Sequence, residues 1–140
     1  MNLVAGACRW VVGAVFLIAG VLKAIDPAGF MRDIDGYRMV DGPLLVAVVF
    51  FVPWLEIAAG AGLVLKRPYG GAALAAIGML VVFLFALVQA WARGLDISCG
   101  CFGSGPTVAN YPWWVARDVA MLLACGACWM DSVRDFGRPA

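Results

Sequence analysis

PLLVAVVFFVPWLEIAAGAGLVL, residues 43–65, decides the fold. A single acid, Glu56, interrupts an otherwise uncharged apolar run. Its length matches the roughly 20 residues a helix needs to cross a hydrocarbon core about 30 Å thick. Period-two alternation is absent, and a membrane barrel would need far more chain, so helix is the reading. Three comparable stretches flank it, at residues 3–24, 69–92 and 111–130. The expected fold is an all-α integral membrane protein, a four-transmembrane-helix bundle forming one domain over residues 1–140 and bathed by the lipid bilayer.

Composition agrees. Of the 140 residues 64% are apolar and only 14% charged, against roughly 25% charged in an average soluble domain. The mean hydropathy is +0.94. A small soluble fold leaves much of its surface wet and could not hide so much apolar area. A net charge of +1 offers no footprint for nucleic acid. Histidine is absent, which removes Ser-His and Cys-His catalysis, imidazole zinc sites and bis-histidine haem.

The breaks between spans are well marked. Asp26-Pro27 ends the first, Asp41-Gly42-Pro43 opens the second, and Lys66-Arg67-Pro68 turns the chain into the third. Residues 93–110 hold Gly94, Gly100, Gly103, Gly105 and Pro106 and read as a loop. Asp26 can cap a short helix with Pro27 in its first turn. Phe30, Ile34 and Tyr37 then share a face, with Arg32, Asp33, Asp35 and Arg38 mostly elsewhere, as in an amphipathic helix lying in the interface between spans 1 and 2. No basic residue precedes Arg9 and no small-x-small site follows the first span, so it reads as a retained helix and not a cleaved signal. Gly6, Gly13 and Gly20 form a small-residue stripe suited to close helix packing. The tryptophans (10, 54, 91, 113, 114 and 129) fall mostly near span ends, as interfacial anchors do.

The candidates for chemistry are few. Cys99-Gly100-Cys101-Phe102-Gly103 lies in the third loop. Cysteines one residue apart close only a tight, strained ring, which suits exchange better than stapling. Spacing alone also allows inert loop cysteines or a soft-metal clip. Cys125-Gly126-Ala127-Cys128 has redox-like spacing but sits in span 4, about 21 Å from its loop end at 1.5 Å per residue. With Cys8 of span 1 it forms a second thiol set, readable as a redox or soft-metal site or, as buried cysteine usually is, as small apolar filler. Glu56 must be neutral, paired or facing a cavity in hydrocarbon. Lys23 is one candidate partner, and Arg117 and Asp118 are others for an internal polar cluster. Such a cluster can equally be a structural ion pair that fixes helix order.

Taken together, these residues resemble the methylamine-utilisation MauE family within the wider DoxX-like group of four-helix membrane proteins. The resemblance rests on Lys23 with Asp26-Pro27, Pro53 with Glu56, Cys99-Gly100-Cys101-Phe102-Gly103, and Arg117-Asp118. It implies support of thiol–disulfide exchange in maturing periplasmic proteins, methylamine dehydrogenase in the family's case, alongside a periplasmic thioredoxin-like partner. Cys99 and Cys101 are the implied exchanging pair; Cys8, Cys125 and Cys128 fall outside that pattern. Electrons would pass to or from a quinone or another protein, although no quinone motif and no resident metal site is read. Two other readings stand beside it: a thiolate binder or transporter of mercury, copper or zinc, and an assembly scaffold with incidental cysteines.

Four spans place both termini and the Lys66-Arg67 turn on one side. Lys and Arg tie across the membrane: Arg9, Lys66, Arg67, Arg134 and Arg138 face Lys23, Arg32, Arg38, Arg93 and Arg117. The density of the short turn and basic tail then favours cytoplasmic termini in a bacterial inner membrane. Impermeant thiol reagents should therefore reach Cys99 or Cys101 from outside the cell after reduction. Labelling confined to opened vesicles would reverse the orientation.

Overall fold

The computed structural model describes residues 3–65, 69–95 and 110–137. They form five helices and, among the described residues, no strand: α1 (Leu3–Ile25), α2 (Pro27–Gly36), α3 (Gly42–Leu65), α4 (Tyr69–Ala92) and α5 (Tyr111–Phe136). Three of them, α1, α3 and α4, are long and apolar enough to cross a membrane, and the protein is a membrane protein. α5 runs to Phe136, beyond the expected end near 130, because its last turns carry Asp131, Arg134 and Asp135 without any helix breaker.

The four long helices close a ring in which α1 packs on α3, α3 on α4, α4 on α5 and α5 on α1. The α1–α3 seam is the tightest. A Cβ on Gly60 would stand 2.8 Å from the Gly13 carbonyl oxygen, and one on Gly20 would stand 2.8 Å from that of Pro53. These pairings make α1 and α3 antiparallel. Close backbone approach is how helices gain contact where lipid competes with every apolar side chain. Gly6 departs from the expected stripe, since nothing lies within 4 Å of a Cβ placed there. Pro53 is accommodated inside a continuous α3.

α2 exists because the chain breaks at Asp26-Pro27. Proline is tolerated in the first turn, where its missing N–H is not needed, and the Asp26 carboxylate accepts from the Gly29 N–H at 3.0 Å. The helix turns Phe30, Asp33 and Tyr37 inward. Asp33 thus joins the buried face, where the sequence pattern set it apart, because i, i+3, i+7 is the spacing of one helix side. α2 packs on α3 and α1 and delivers Tyr37 to a cluster with Leu87, Ala90, Tyr111 and Trp114. Trp114 is therefore a core residue at 7% exposure, unlike the other five tryptophans.

That end of the bundle is fastened by polar contacts as well. α4 stops at Gly94 (φ 66), with Leu95 N–H donating to the Ala90 carbonyl and Gly94 N–H to that of Trp91, both at 3.0 Å. This is the Schellman pattern that glycine permits. The Tyr111 hydroxyl donates to the Leu95 carbonyl, its ring stacks on Trp91, and Arg93 donates to the Tyr37 carbonyl at 3.3 Å.

Gly60→Ala should lower stability by about 1–3 kcal/mol through overpacking against backbone, whereas Gly6→Ala should change it by less than about 1 kcal/mol. Thermal unfolding in detergent compares them, and equal costs would refute the close α1–α3 contact.

Candidate functional site

Beneath α2, where all five helices converge, lies the main polar cluster of the described residues. Lys23 (α1) is 2% exposed and Glu56 (α3) 5%. The Lys23 ammonium donates to both carboxylate oxygens, at 2.6 and 2.8 Å. Phe30 of α2 and Phe83 of α4 face it with ring centroids 5.3 and 5.2 Å away. Glycine at 20 lets α1 come close enough to α3 for the lysine stem to reach inward. A charge in hydrocarbon is costly, and a bidentate pair under two aromatic faces satisfies most of what burial removes.

Arg117 and Asp118 of α5 pair with each other, the guanidinium donating to Asp118 Oδ1 from Nε at 3.0 Å and from Nη2 at 2.7 Å. Asp118 is buried and Arg117 partly exposed. The structure thus brings Lys23 to Glu56 directly. Arg117 and Asp118 meet that pair across a cavity of about 40 Å³, whose walls include Phe16, Lys23, Glu56, Phe83, Arg117 and Asp118. A buried water needs about 10–15 Å³ of such space, so the cavity is hydratable. Two acids and two bases leave the cluster formally neutral.

Arg9, counted in the sequence only as a charge on the terminal side, is a buried structural group. Its Nη1 donates to the carbonyls of Leu63 and Val64 at 2.9 and 2.8 Å, the oxygens that the C-terminal turn of α3 leaves without intrahelical partners. An arginine one turn into an apolar span is the signal that could have indicated such a cap.

The thiols divide by place. Cys125 and Cys128 are both 0% exposed, three residues apart on one face of α5, within the core of Val12, Phe16, Leu63 and Ala76. Cys8 packs against that core and is, with Cys128, an electrostatic neighbour of Cys125. None of the three is in a disulfide. Among the described residues, no group of three or more cysteines, aspartates and glutamates is placed to hold a metal ion. Cys99 and Cys101 lie outside the described residues, between Leu95 and Asn110.

Glu56→Ala should cost roughly 3–5 kcal/mol, because it strands a buried ammonium, and Lys23→Met combined with Glu56→Gln should cost less than either single loss. A thermodynamic cycle in detergent measures the coupling. Additive losses would show that the two charges do not depend on each other.

A family model described as Methylamine utilisation protein MauE matches residues 1–131 of the 140-residue chain. No curated protein and no solved structure gives a significant match. The matched segment contains every residue of the polar cluster and the whole Cys99–Gly103 stretch, and on that extent the chain belongs to the MauE family.

Proposed function

We propose that this protein serves a MauE-like role in methylamine utilisation by supporting thiol–disulfide exchange, with Cys99 and Cys101 as the exchanging pair and a periplasmic thioredoxin-like protein as partner. The observation that carries this reading is the family match through residues 1–131, which includes the paired cysteines. The fold adds support at the flanks of that segment. Tyr111 bonds to Leu95 and stacks on Trp91, so the residues bounding the cysteine stretch are held together at the end of the bundle away from both termini. The other thiols are poorly suited to exchange, which needs a thiolate in line with an accessible sulfur, because Cys125 and Cys128 are fully enclosed.

In this reading α5 is the fourth span. It packs on both α4 and α1, its Arg117 and Asp118 charges pair internally, and the remaining charges gather in its last turns. α2 lies at the periplasmic interface, the whole chain is one domain, and the termini are cytoplasmic in the bacterial inner membrane. The soft-metal alternative gains no ligand set from the described residues.

Exchange proceeds by thiolate attack on one sulfur of a disulfide, giving a mixed disulfide that a second thiol resolves. One of Cys99→Ser and Cys101→Ser should therefore trap a covalent complex with a thioredoxin-like protein, and the other should abolish it. Cys125→Ser with Cys128→Ser should leave trapping intact. If neither loop variant traps a partner, and chelator in place of reductant exposes the loop thiols, the exchange reading fails.

A further inference from the structure

Lys23 has donor capacity beyond its pair with Glu56. An ammonium has three N–H donors. Two go to Glu56, and among the described residues no acceptor takes the third; only the Phe30 and Phe83 rings face the ammonium. The residue is nonetheless 2% exposed and lines the 40 Å³ cavity. Spare donor capacity beside a space that can hold water is a place for a ligand acceptor or a water.

Phe83 is a shared wall. On its other side lies a second cavity of about 140 Å³, bounded by Ile34, Tyr37, Val48, Val52, Phe83 and Ala86, with no polar surface. A dry cavity of about 150 Å³ lined by aliphatic and aromatic side chains accepts a benzene-sized ring. This one reaches the outside of the bundle beside Val82, which is 65% exposed on α4, a helix long and apolar enough to span the bilayer. An occupant would enter from lipid and so must dissolve there. It must fill an apolar, ring-sized space, and it gains from an oxygen acceptor directed past Phe83 at Lys23.

We propose that the two cavities flanking Phe83 form a binding site for the ring of a membrane quinone, with one ring carbonyl accepting from Lys23. This extends the exchange reading above by supplying its electron carrier. Closing a Cys99–Cys101 disulfide breaks two S–H bonds and forms one S–S bond, releasing two electrons and two protons. A quinone that takes up both pairs becomes the quinol, and no other co-reactant is needed. Phe83 must swing aside for the carbonyl to reach the ammonium, so Phe83 and Lys23 act as ring-positioning residues, while Glu56 holds the ammonium in place.

The test is photolabelling of the full-length protein in nanodiscs with an azido-benzoquinone bearing a short alkyl tail, read by peptide mapping and by competition with unlabelled decyl-ubiquinone. Label should fall on α3 around Val48 and Val52 and on α4 around Phe83 and Ala86, and the competitor should displace it. Ala86→Phe, which fills the apolar cavity without touching either ion pair, should reduce labelling by about tenfold or more. So should Lys23→Met combined with Glu56→Gln, a charge-neutral change that costs less stability than either single loss while removing the donor. An azido-alkane probe without ring carbonyls should label weakly and ignore the Lys23 change. If that probe labels the cavity as well as the quinone does, or if Ala86→Phe leaves quinone labelling unchanged, the site is refuted. Mixed-disulfide trapping, measured on the same variants, separates the two readings. Trapping without specific quinone labelling overturns the quinone site alone. Labelling that survives the failure of trapping upholds the site and removes only its assignment to thiol oxidation.

Discussion

The structure depends on one buried contact, the bidentate ion pair between Lys23 and Glu56. In an apolar bundle, neither charge is tolerable alone. Their meeting requires α1 and α3 to be antiparallel, in one register and unusually close, and Gly13, Gly20 and Gly60 provide that closeness. Sliding one helix past the other by a turn, about 5.4 Å, would keep the glycine seam apolar but part the two charges. The pair thereby penalises slipped registers that apolar packing would accept, which is how buried polar groups contribute specificity even where their net stabilisation is small. The remaining cover comes from α2. The break at Asp26-Pro27 is what lets Phe30 fold back over the ammonium, so the capping chemistry of a ten-residue helix and the burial of the ion pair are parts of one solution.

That solution divides the bundle along its length. Towards the termini, Cys125 and Cys128 lie in a dry core with Leu63, Ala73 and Ala76, and Arg9 closes the free end of α3. Towards the opposite end lie the ion pairs and both cavities around Phe83. Above these is the ring cluster of Tyr37, Trp91, Tyr111 and Trp114. The buried ion pairs are therefore concentrated in the half that also leads to Cys99 and Cys101 in the chain. A close-packed half gives the rigidity against which a looser, polar half can be held in place.

Helix class and the boundaries of α1, α3 and α4 were legible because apolar runs of membrane length leave little choice of secondary structure, and because Asp-Pro, Asp-Gly-Pro and Lys-Arg-Pro punctuate them plainly. Lys23 and the Arg117 region could be named as candidate partners of Glu56 from cost alone, since a lone acid in hydrocarbon demands a cation at matching depth. What sequence could not give was azimuth. Gly6 looks equivalent to Gly13 and Gly20 in a seven-residue repeat, yet the ends of α1 and α3 leave it in open space. Asp33 reads as a solvent residue by type and is buried by position. Trp114 belongs to an interfacial class and became core because Tyr37, from a helix of another segment, packs on it. Arg9 reads in the sequence as a charge on the terminal side and no more, because a capping role depends on which foreign helix ends beside it. In α5 the charges of Arg117 and Asp118 lower its apolar character enough that only packing argues for a span. Each of these turns on a neighbour from another element, which periodicity within one element does not encode.

The two sets of thiols illustrate how far such neighbours decide chemistry. By spacing, Cys125 and Cys128 are the better redox pair, and Cys99 and Cys101 the stranger one. Burial sets the better-spaced pair aside. Attack on a disulfide requires a thiolate and an open line to sulfur, and a thiol with no exposed surface in an apolar helix bundle offers neither. For Cys125 to exchange, α5 would have to leave α4 and α1, separating the seam where Gly70 touches Ser132 and the stack of Tyr111 on Trp91. Cys99 and Cys101 stand in the sequence between Leu95 and Tyr111, the two residues that the Tyr111 hydroxyl ties together. Cys125 and Cys128 are therefore closed to exchange for as long as α5 stays packed on α4 and α1.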